Sequence, residues 1–300
     1  MAGPCVVTIG NFDGVHLGHR YVIACARELA GSIGAGELPV VAVTFDPHPL
    51  SVIAPEHAPQ SLTSLETRIT LLKNCGIDRV YVLAFSVEMS AWTPEEFVQR
   101  IIVDQIHAAG VVVGENFRFG HKAAGDCDFL RDAGGRFGFV VEAVSLRGEG
   151  PPWSSTLVRE SLANGNVEQA AVVLGRPHEV AGVVVKGDQR GTELGFPTAN
   201  IPAPDGLVVP ADGVYAGWFS HDGIEPMPAA ISVGSNPTFD GVERRIESYV
   251  LDRDDLDLYG KVVTVGFVAK IRDQLKFDGV GALVESVRDD VAQTRILLDL

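Results

Sequence analysis

The segment Gly10–His19, GNFDGVHLGH, constrains the fold of this chain more than any other stretch. It follows an apolar run, Val6–Ile9, that predicts a short buried strand, and it precedes Tyr21–Ala30, which predicts a helix. Gly10 and Gly14 permit a tight turn between the two, because glycine adopts backbone conformations that other residues avoid. The segment therefore predicts a strand, a glycine-rich turn and a helix in succession, as in α/β domains.

The same segment predicts a phosphate site, for which Gly10, Phe12 and Gly14 are candidate binding residues. A helix N-terminus favours an anion through its free N–H groups and its dipole. His16 and His19 lie three positions apart, so both imidazoles can point to one side and donate hydrogen bonds to phosphoryl oxygens. The pattern indicates nucleotidyl transfer at an α-phosphate. The alternatives are ordinary capping or surface histidines and a metal site, although no further ligand stands nearby at a zinc spacing.

Length and composition bound the class of protein. A chain of 300 residues suggests two domains, and 46% hydrophobic residues supply their cores. No apolar stretch approaches the roughly 20 residues of a membrane helix. With no visible signal peptide and four scattered cysteines, a cytoplasmic protein with reduced thiols is expected. The formal charge of −15 argues against a nucleic-acid partner but allows phosphorylated small molecules as ligands.

Residues 1–175 are predicted to form a doubly wound α/β domain. Apolar runs without strict alternation suit strands buried on both faces, and their alternation with helices predicts a parallel sheet. Ligands of such sheets bind at the carboxyl ends of the strands. The predicted strands are Val6–Ile9, Val40–Phe45, Val80–Ala84, Val111–Gly114 and Phe139–Ala143, and the predicted helices lie near Arg20–Ala30, Leu65–Cys75 and Pro94–His107.

Residues 176–300 are predicted to form a second domain, an antiparallel barrel or sandwich, because glycine and proline turns separate its short strands. Ser235–Phe239 is interpreted as one such turn. Val280–Leu298 is predicted to be a terminal helix that buries Val284, Val287, Val291 and Leu298. The predicted strands are Val180–Val185, Gly213–Ser220, Ala229–Val233, Ile246–Leu251 and Val262–Ile271.

Two further segments of the first domain hold candidate ligand-binding residues. After the fourth strand, Asn116 can bond a base or a ribose, while Asp126 is either a ligand contact or a helix cap. Ser155 and Thr156 open a helix, and Arg159 follows within a turn. This set could clamp the β,γ-phosphates of a nucleotide, or it could be a simple cap followed by a solvated arginine.

The second domain has its own phosphate signals. Gly187 and Gly191 allow a mobile loop over phosphates. Thr198 and Asn200 lie two apart in an extended segment, so their side chains project to one face. A hydroxyl and an amide oxygen are hard ligands suited to Mg²⁺ beside phosphate oxygens and water. The cluster therefore predicts a magnesium–nucleotide site.

Glu247 lies in an otherwise apolar predicted strand. It could accept the proton of a substrate hydroxyl that attacks a γ-phosphate, or it could simply face solvent. Arg272 and Phe277 follow the last strand and could contact an aromatic ligand. Their alternative interpretation is a solvated arginine and a core phenylalanine.

Taken in order, these motifs resemble those of bacterial bifunctional riboflavin kinase/FAD synthetases. The N-terminal half is similar to the FMN adenylyltransferase module, a Rossmann-like nucleotidylyltransferase domain, through GNFDGVHLGH, TFDPHP, VGENFRFG with Gly125-Asp126, and SSTLVR. The C-terminal half is similar to the riboflavin kinase module, a six-stranded barrel, through GFPTAN, GVYAG, VGSNPTF, IESYVLD and IRDQLKF. Such a succession of motifs is far more specific than any one of them.

The resemblance implies two reactions. The C-terminal domain would phosphorylate riboflavin to FMN, and the N-terminal domain would adenylylate FMN to FAD with a second ATP, releasing pyrophosphate. Magnesium, ATP and the flavins are then the expected ligands, with no membrane partner and a transient homo-oligomer as a further expectation. By position, the resemblance also implies roles for the candidate residues. In the N-terminal domain, His16 and His19 would stabilise the transition state, Arg159 would bind phosphate, and Asn116 and Asp126 would bind nucleotide or flavin. In the C-terminal domain, Thr198 and Asn200 would bind Mg·ATP, Glu247 would accept the proton, and Arg272 with Phe277 would seat the flavin.

Two alternatives stay open at this point. One is a riboflavin kinase whose N-terminal domain binds nucleotide without transferring it, against which His16, His19 and Arg159 argue together. The other is a non-enzymatic flavin carrier, in which Glu247 would have no chemical role.

Overall fold

A computed structural model describes residues 3–33, 36, 38–145, 153–187, 191, 194–221, 223–238 and 241–300, with the backbone alone for 236–238 and 241–243. The chain divides into two compact units, Met1–Ser154 and Ser155–Leu300. In the described part of the chain, no helix has both the length and the apolar character needed to cross a membrane.

The first unit is built on a parallel sheet with the order β3-β2-β1-β4-β5. The chain runs outward from β1 to β3 and then crosses back to β4, which leaves a switch point between β1 and β4 at their carboxyl ends. This order confirms the predicted doubly wound fold. The strands are β1 (Cys5–Ile9), β2 (Val40–Asp46), β3 (Arg79–Ala84), β4 (Ala108–Gly114) and β5 (Val140–Val144).

Helices cover both faces of this sheet. Val7 and Ile9 of β1 pack into one core, while Val6 packs into the other, as alternation along a doubly covered strand requires. The helix predicted over Pro94–His107 is present, but its second half, Val98–Gln105, is π-helical. The α-helices are α1 (Leu17–Ser32), α2 (Pro49–Ile53), α3 (Leu65–Asn74), α4 (Val87–Ser90), α5 (Pro94–Phe97) and α6 (Cys127–Phe137).

The second unit is a six-stranded antiparallel sheet with the order β6-β11-β8-β9-β10-β7. A bridge between Val185 and Asn200 joins its two edges, so the sheet forms a nearly closed barrel, as predicted. Large side chains such as Tyr215, Phe219 and Phe267 fill its core. The strands are β6 (His178–Val183), β7 (Ala199–Pro202), β8 (Gly213–His221), β9 (Met227–Thr238), β10 (Gly241–Val250) and β11 (Val262–Arg272), and the helices are α7 (Ser155–Ala163), α8 (Val167–Leu174) and α9 (Val280–Leu297).

The predicted turn at Ser235–Phe239 is wrong for Ser235–Thr238, while Phe239 lies outside the described residues. β9 continues to Thr238 and pairs with β10 from Gly241 onward, with Pro237 opposite Val242. Pairing with β10 satisfies the backbone groups of this segment and overrides the local turn preference of its Asn-Pro sequence.

The chain divides into its compact units between Ser154 and Ser155, which is earlier in the sequence than the predicted domain boundary after Gly175. The reason is that α7 and α8 pack with the barrel. The backbone N–H of Ala211 donates to the carbonyl of Leu162, and that of Lys270 donates to the Glu168 carboxylate. Residue 175 as the division between two functions stays a prediction.

Candidate active sites

The turn after β1 brings His16 and His19 together. His16 is the N-cap of α1, and its Nδ1 accepts a hydrogen bond from the backbone N–H of His19 at 3.3 Å. The two rings stack with their centroids 3.6 Å apart, and the Phe12 ring meets His19 edge-on at 5.2 Å. Phe12 is only 2% exposed and its ring packs against His19, while its part in nucleotide binding stays a prediction.

Backbone geometry explains the glycines of this turn. Phe12, Gly14 and Val15 all have positive φ angles, a conformation that glycine adopts without strain. A Cβ at Gly18 would lie 3.1 Å from the His16 ring, so this glycine leaves room for the imidazole. Sequence reasoning missed Gly18, although its place between the two histidines was a usable signal.

Both imidazoles are neutral at neutral pH. Burial lowers the pKa of His16 to about 4, against the opposing effect of Asp13. Burial, followed by the charges of His16 and Arg68, holds the pKa of His19 well below its usual range. A neutral imidazole carries one N–H donor and one acceptor nitrogen. His16 uses its Nδ1 as the acceptor, which leaves an N–H on its other nitrogen.

The buried carboxylate of Asp13 ties the turn to the segment before α3. It accepts hydrogen bonds from the backbone N–H of Leu62 at 2.9 Å and of Thr63 at 3.2 Å. The Thr63 hydroxyl in turn accepts from the N–H of Gly14 at 3.4 Å. These contacts fix the turn that carries the histidines, a role for Asp13 that sequence reasoning did not assign.

The loop after β4 presents Asn116 as an exposed side chain. Asp126 is the N-cap of α6, and its Oδ1 accepts from the backbone N–H of Phe129 at 2.9 Å. The structure thus shows the capping role that the sequence left as an alternative. Phe119 and Gly125 bridge the base of the loop, and a Cβ at Gly125 would lie 2.7 Å from the Phe119 ring.

Ser155, Thr156 and Arg159 all lie in the first half of α7. These three residues belong to the second compact unit, whereas His16 and His19 belong to the first. Phosphate binding by this set stays a prediction.

A cavity of about 310 Å³ opens in the second unit between the barrel and α9. Glu247 on β10 stands opposite Asn200 on β7 in the strand register, and both line the cavity. Six of the predicted site residues of this unit line it together: Gly191, Thr198, Asn200, Glu247, Arg272 and Phe277.

Asn200 holds Thr198 in place. Its Nδ2 donates to the carbonyl and the hydroxyl of Thr198, at 3.2 and 3.3 Å. A Cβ at Gly187 would lie 2.6 Å from the Asn200 amide, so a residue larger than glycine at this position would displace that amide. The amide oxygen, the threonine hydroxyl and the nearby Glu247 carboxylate are hard oxygen donors, a set that fits Mg²⁺. The described residues contain no cluster of three or more histidine, cysteine or acidic side chains suited to a metal, so a cation here would draw other ligands from phosphate and water.

A smaller cavity of about 90 Å³ adjoins the first and shares Thr198 with it. Arg253 and Tyr259 are among its lining residues. Ser248 also lines it, because successive residues of β10 point to opposite faces and Glu247 faces the larger cavity. The Ser248 hydroxyl is buried and has no hydrogen-bond partner among the described residues. Sequence reasoning missed this cavity, since its lining comes from distant segments.

Arg272 is not a solvated arginine. Its Nε and Nη2 donate to both carboxylate oxygens of Asp290 on α9, at 2.8 and 2.6 Å. The guanidinium also lies 5.8 Å from the centre of the Phe277 ring. The strand end and the terminal helix are therefore fastened together at the wall of the larger cavity.

A doubly wound unit with a paired-histidine turn, followed by a barrel with a carboxylate in its cavity, is an arrangement that suits a phosphate-transferring enzyme of two units. Residues 1–156 match the FAD synthetase family model, and residues 174–298 match the riboflavin kinase model. The chain belongs to the bifunctional riboflavin kinase/FMN adenylyltransferase family.

Full-length relatives agree with this membership. The bifunctional riboflavin kinase/FMN adenylyltransferase of Escherichia coli K12 is 36% identical over 292 residues, which cover 97% of this chain and 92% of the relative. The protein of the same name from Pseudomonas fluorescens is 39% identical and covers 98% and 93%. A crystal structure described as a macrolide-efflux protein from Streptococcus pneumoniae superposes with a TM-score of 0.89 at 33% identity, covering 98% of this chain and 95% of that one.

Proposed function

We infer that the chain makes both flavin cofactors. The second unit phosphorylates riboflavin to FMN with ATP, and the first unit adenylylates FMN to FAD with a second ATP. The observation that carries this inference is that each unit has a reactive centre of its own. The first has the stacked His16–His19 pair at a helix N-terminus, and the second has Glu247 in a cavity beside Thr198 and Asn200.

In the second unit we propose that the larger cavity holds riboflavin. Its lining is mostly apolar and includes Phe277, which suits a flat aromatic ring system, and Arg272 fixes the wall beside that ring. Glu247 accepts the proton of the flavin's terminal ribityl hydroxyl. The oxygen then attacks the γ-phosphorus of ATP, the bond to the β-phosphate oxygen breaks, and ADP leaves.

The smaller cavity suits the nucleoside part of ATP. Arg253 and Tyr259 offer a cation and a ring, and the unpartnered Ser248 hydroxyl offers a buried polar contact. Thr198 belongs to both cavities, so a triphosphate passing it would reach Glu247. Gly187 and Gly191 belong to the predicted loop over the phosphates. Their neighbours 188–190 and 192–193 lie outside the described part.

Mg²⁺ would be held by Thr198 and Asn200 together with phosphate oxygens and water. When bound, it neutralises the negative charge that would repel the attacking hydroxyl. The hydrogen bonds of the Asn200 amide orient Thr198 and Asn200 toward each other.

In the first unit we propose that an FMN phosphate oxygen attacks the α-phosphorus of ATP. The bond between the α-phosphorus and the bridging oxygen breaks, and pyrophosphate leaves. His16 and His19 donate hydrogen bonds to the phosphoryl oxygens as charge builds on them. Gly10 and Gly14 let the backbone approach the phosphates, and Asn116 and Asp126 contact nucleotide or flavin.

These substrates are small molecules, and the net charge of −15 makes nucleic acid an unfavourable partner. We expect both reactions to take place in the cytoplasm, where ATP is available. A transient homo-oligomer stays a prediction.

The test is to separate the flavins formed by the pure chain with ATP and Mg²⁺, starting from riboflavin in one tube and from FMN in another. We expect FMN and FAD in the first tube and FAD in the second. FMN without FAD in the first tube and unchanged FMN in the second would leave a kinase with a silent first unit. Bound flavin without any conversion would mean a carrier instead of an enzyme.

A further inference from the structure

Arg68 is a buried charge without an evident structural purpose. It lies on α3 and is 4% exposed, although most other residues of that helix keep contact with solvent. Removing a guanidinium from water is costly unless hydrogen bonds and opposite charges compensate. The position of such a group in a fold is therefore informative.

The contacts of Arg68 lead to the turn that carries the histidines. Its Nη1 donates to the Thr44 hydroxyl at 3.3 Å and to the Phe45 carbonyl at 3.2 Å, at the carboxyl end of β2. The Thr44 hydroxyl in turn donates to the carbonyl of Asn11 at 3.0 Å. A continuous chain of hydrogen bonds thus runs from α3 to the turn after β1.

Arg68 also acts on His19 through its charge. His16, on the cap of the same helix, and Arg68, from α3, are the titratable groups that oppose protonation of His19. The negative charge of Asp13 opposes the lowering of the pKa of both His16 and Arg68 by burial, and the charge of Asp46 does the same for Arg68. The Nε of Arg68 and the Nδ1 of His19 are both buried and have no hydrogen-bond partner among the described residues.

We propose that Arg68 is a positioning residue for adenylyl transfer, which holds the Gly10–His19 turn in place through the hydroxyl of Thr44. The proposal rests on the function proposed for the first unit. Because the guanidinium is buried, it acts through its neighbours and not through contact with the substrate. The charge of Arg68 adds to burial and to His16 in lowering the pKa of His19. A neutral His19 enters the reaction with both an N–H donor and an acceptor nitrogen.

The test compares Arg68→Met, Arg68→Lys and Thr44→Val in the full chain, by measuring kcat and the pH profile of kcat/KM for FAD formation from FMN. Arg68→Met removes the charge and should lower kcat at least about tenfold. It should also move the acidic limb of the profile to higher pH, because His19 then protonates more readily. Arg68→Lys keeps the charge, so the limb should stay and much of the rate should return.

Thr44→Val breaks the hydrogen-bond chain but leaves the charge in place. The rate should fall at least about fivefold, because the Thr44 hydroxyl loses both of its hydrogen bonds, with the acidic limb unmoved. Arg27→Met is the matched control, since Arg27 of the same unit forms a half-exposed ion pair with Asp78. It should change neither the rate nor the limb.

The unfolding midpoint reports whether each variant is folded, and riboflavin phosphorylation reports whether its second unit is intact. If Arg68→Met fails to fold, Arg68→Lys and Thr44→Val still test whether Arg68 is a positioning residue. Unchanged FAD formation in Arg68→Met, or equal rate losses in Arg68→Met and Arg68→Lys with an unmoved limb, would overturn the proposal. So would a wild-type rate in Thr44→Val. Failure of the proposed function is a separate result, because the wild-type chain itself would then make no FAD.

Discussion

His16 combines two roles that depend on its being neutral. Its Nδ1 accepts the hydrogen bond of a helix cap, which a protonated imidazole cannot do, and its ring stacks on His19. Burial is the main cause of its low pKa. At the residue scale, the helix N-terminus is therefore assembled with a histidine that resists protonation and keeps an N–H for a ligand.

This environment predicts a pH dependence of stability. The pKa of His16 is about 4 in the folded chain and about 6.5 in the unfolded one. The unfolded chain thus binds more protons between these values, and stability should fall as the pH drops from about 6.5 to about 4. The contribution of His16 should fall by about 2 kcal/mol between pH 7 and pH 4.5, as measured by denaturant unfolding.

His16→Asn is the variant that isolates this effect, because asparagine caps a helix well and does not titrate. Its unfolding free energy should lose about 2 kcal/mol less than that of the wild type over the same pH interval. An identical pH dependence in both chains would show that His16 is not buried in its neutral form.

At the scale of elements, α9 shows the limit of an apolar pattern. Val284, Val287, Val291 and Leu298 were predicted to form its buried face, but each is only partly buried. The residues that become fully buried are the polar Asp290 and Thr294. Asp290 is buried because it pairs with Arg272, so the helix is held to the barrel by an ion pair as well as by apolar packing.

We expect Asp290→Ala to loosen this attachment. Losing one partner of a largely buried ion pair costs about 3 kcal/mol, because the remaining charge stays desolvated. Riboflavin binding should weaken in parallel, since Arg272 and α9 wall the larger cavity. Denaturant unfolding and riboflavin titration measure the two effects. Asp289→Ala, at the exposed neighbouring position, is the control and should change neither.

The close contact between Gly187 and the Asn200 amide leads to a second prediction at the scale of elements. In Gly187→Ala the added Cβ would collide with the Asn200 amide and displace the donors proposed for Mg²⁺. The rate of riboflavin phosphorylation should fall at least about tenfold, with FAD formation from FMN unchanged. Gly281→Ala on α9 meets open space and serves as the matched control. Equal activity of the two variants would mean that the contact at Gly187 does not matter for the kinase.

At the scale of the whole molecule, the two proposed reactive centres lie in different compact units. We therefore expect reciprocal losses. His19→Ala should abolish FAD formation from FMN and spare FMN formation from riboflavin. Glu247→Gln should slow phosphorylation by about 10²- to 10⁴-fold, because an amide cannot accept the proton, while riboflavin still binds.

Product separation and riboflavin titration on both variants check this expectation. Loss of both activities in either variant would show that the units depend on each other. For Glu247→Gln, equal losses in rate and in riboflavin affinity would point to a structural role for that carboxylate.

Much of the fold followed from patterns that act locally. The five predicted strands of the first unit match the observed ones to within a few residues at their ends. Runs of valine and isoleucine favour burial in any tertiary context, so they predict buried strands. The predicted turn at Ser235–Phe239 failed because long-range pairing with β10 outweighed a local preference. Asp126 shows a third case, in which one residue type serves equally as a cap or as a ligand contact and the sequence cannot choose.

The sequence by itself determined the alternation of strands and helices, the change to short antiparallel strands, and the residue types at both reactive centres, because these depend on neighbours within a few positions. Tertiary structure alone decided which distant groups meet. It brought Arg68 against Thr44, Asp13 against Leu62 and Thr63, and Asp290 against Arg272, and it opened a second cavity next to Thr198. The physical reason is that buried charges and hydroxyls are stable only beside particular partners, and folding selects those partners from all parts of the chain.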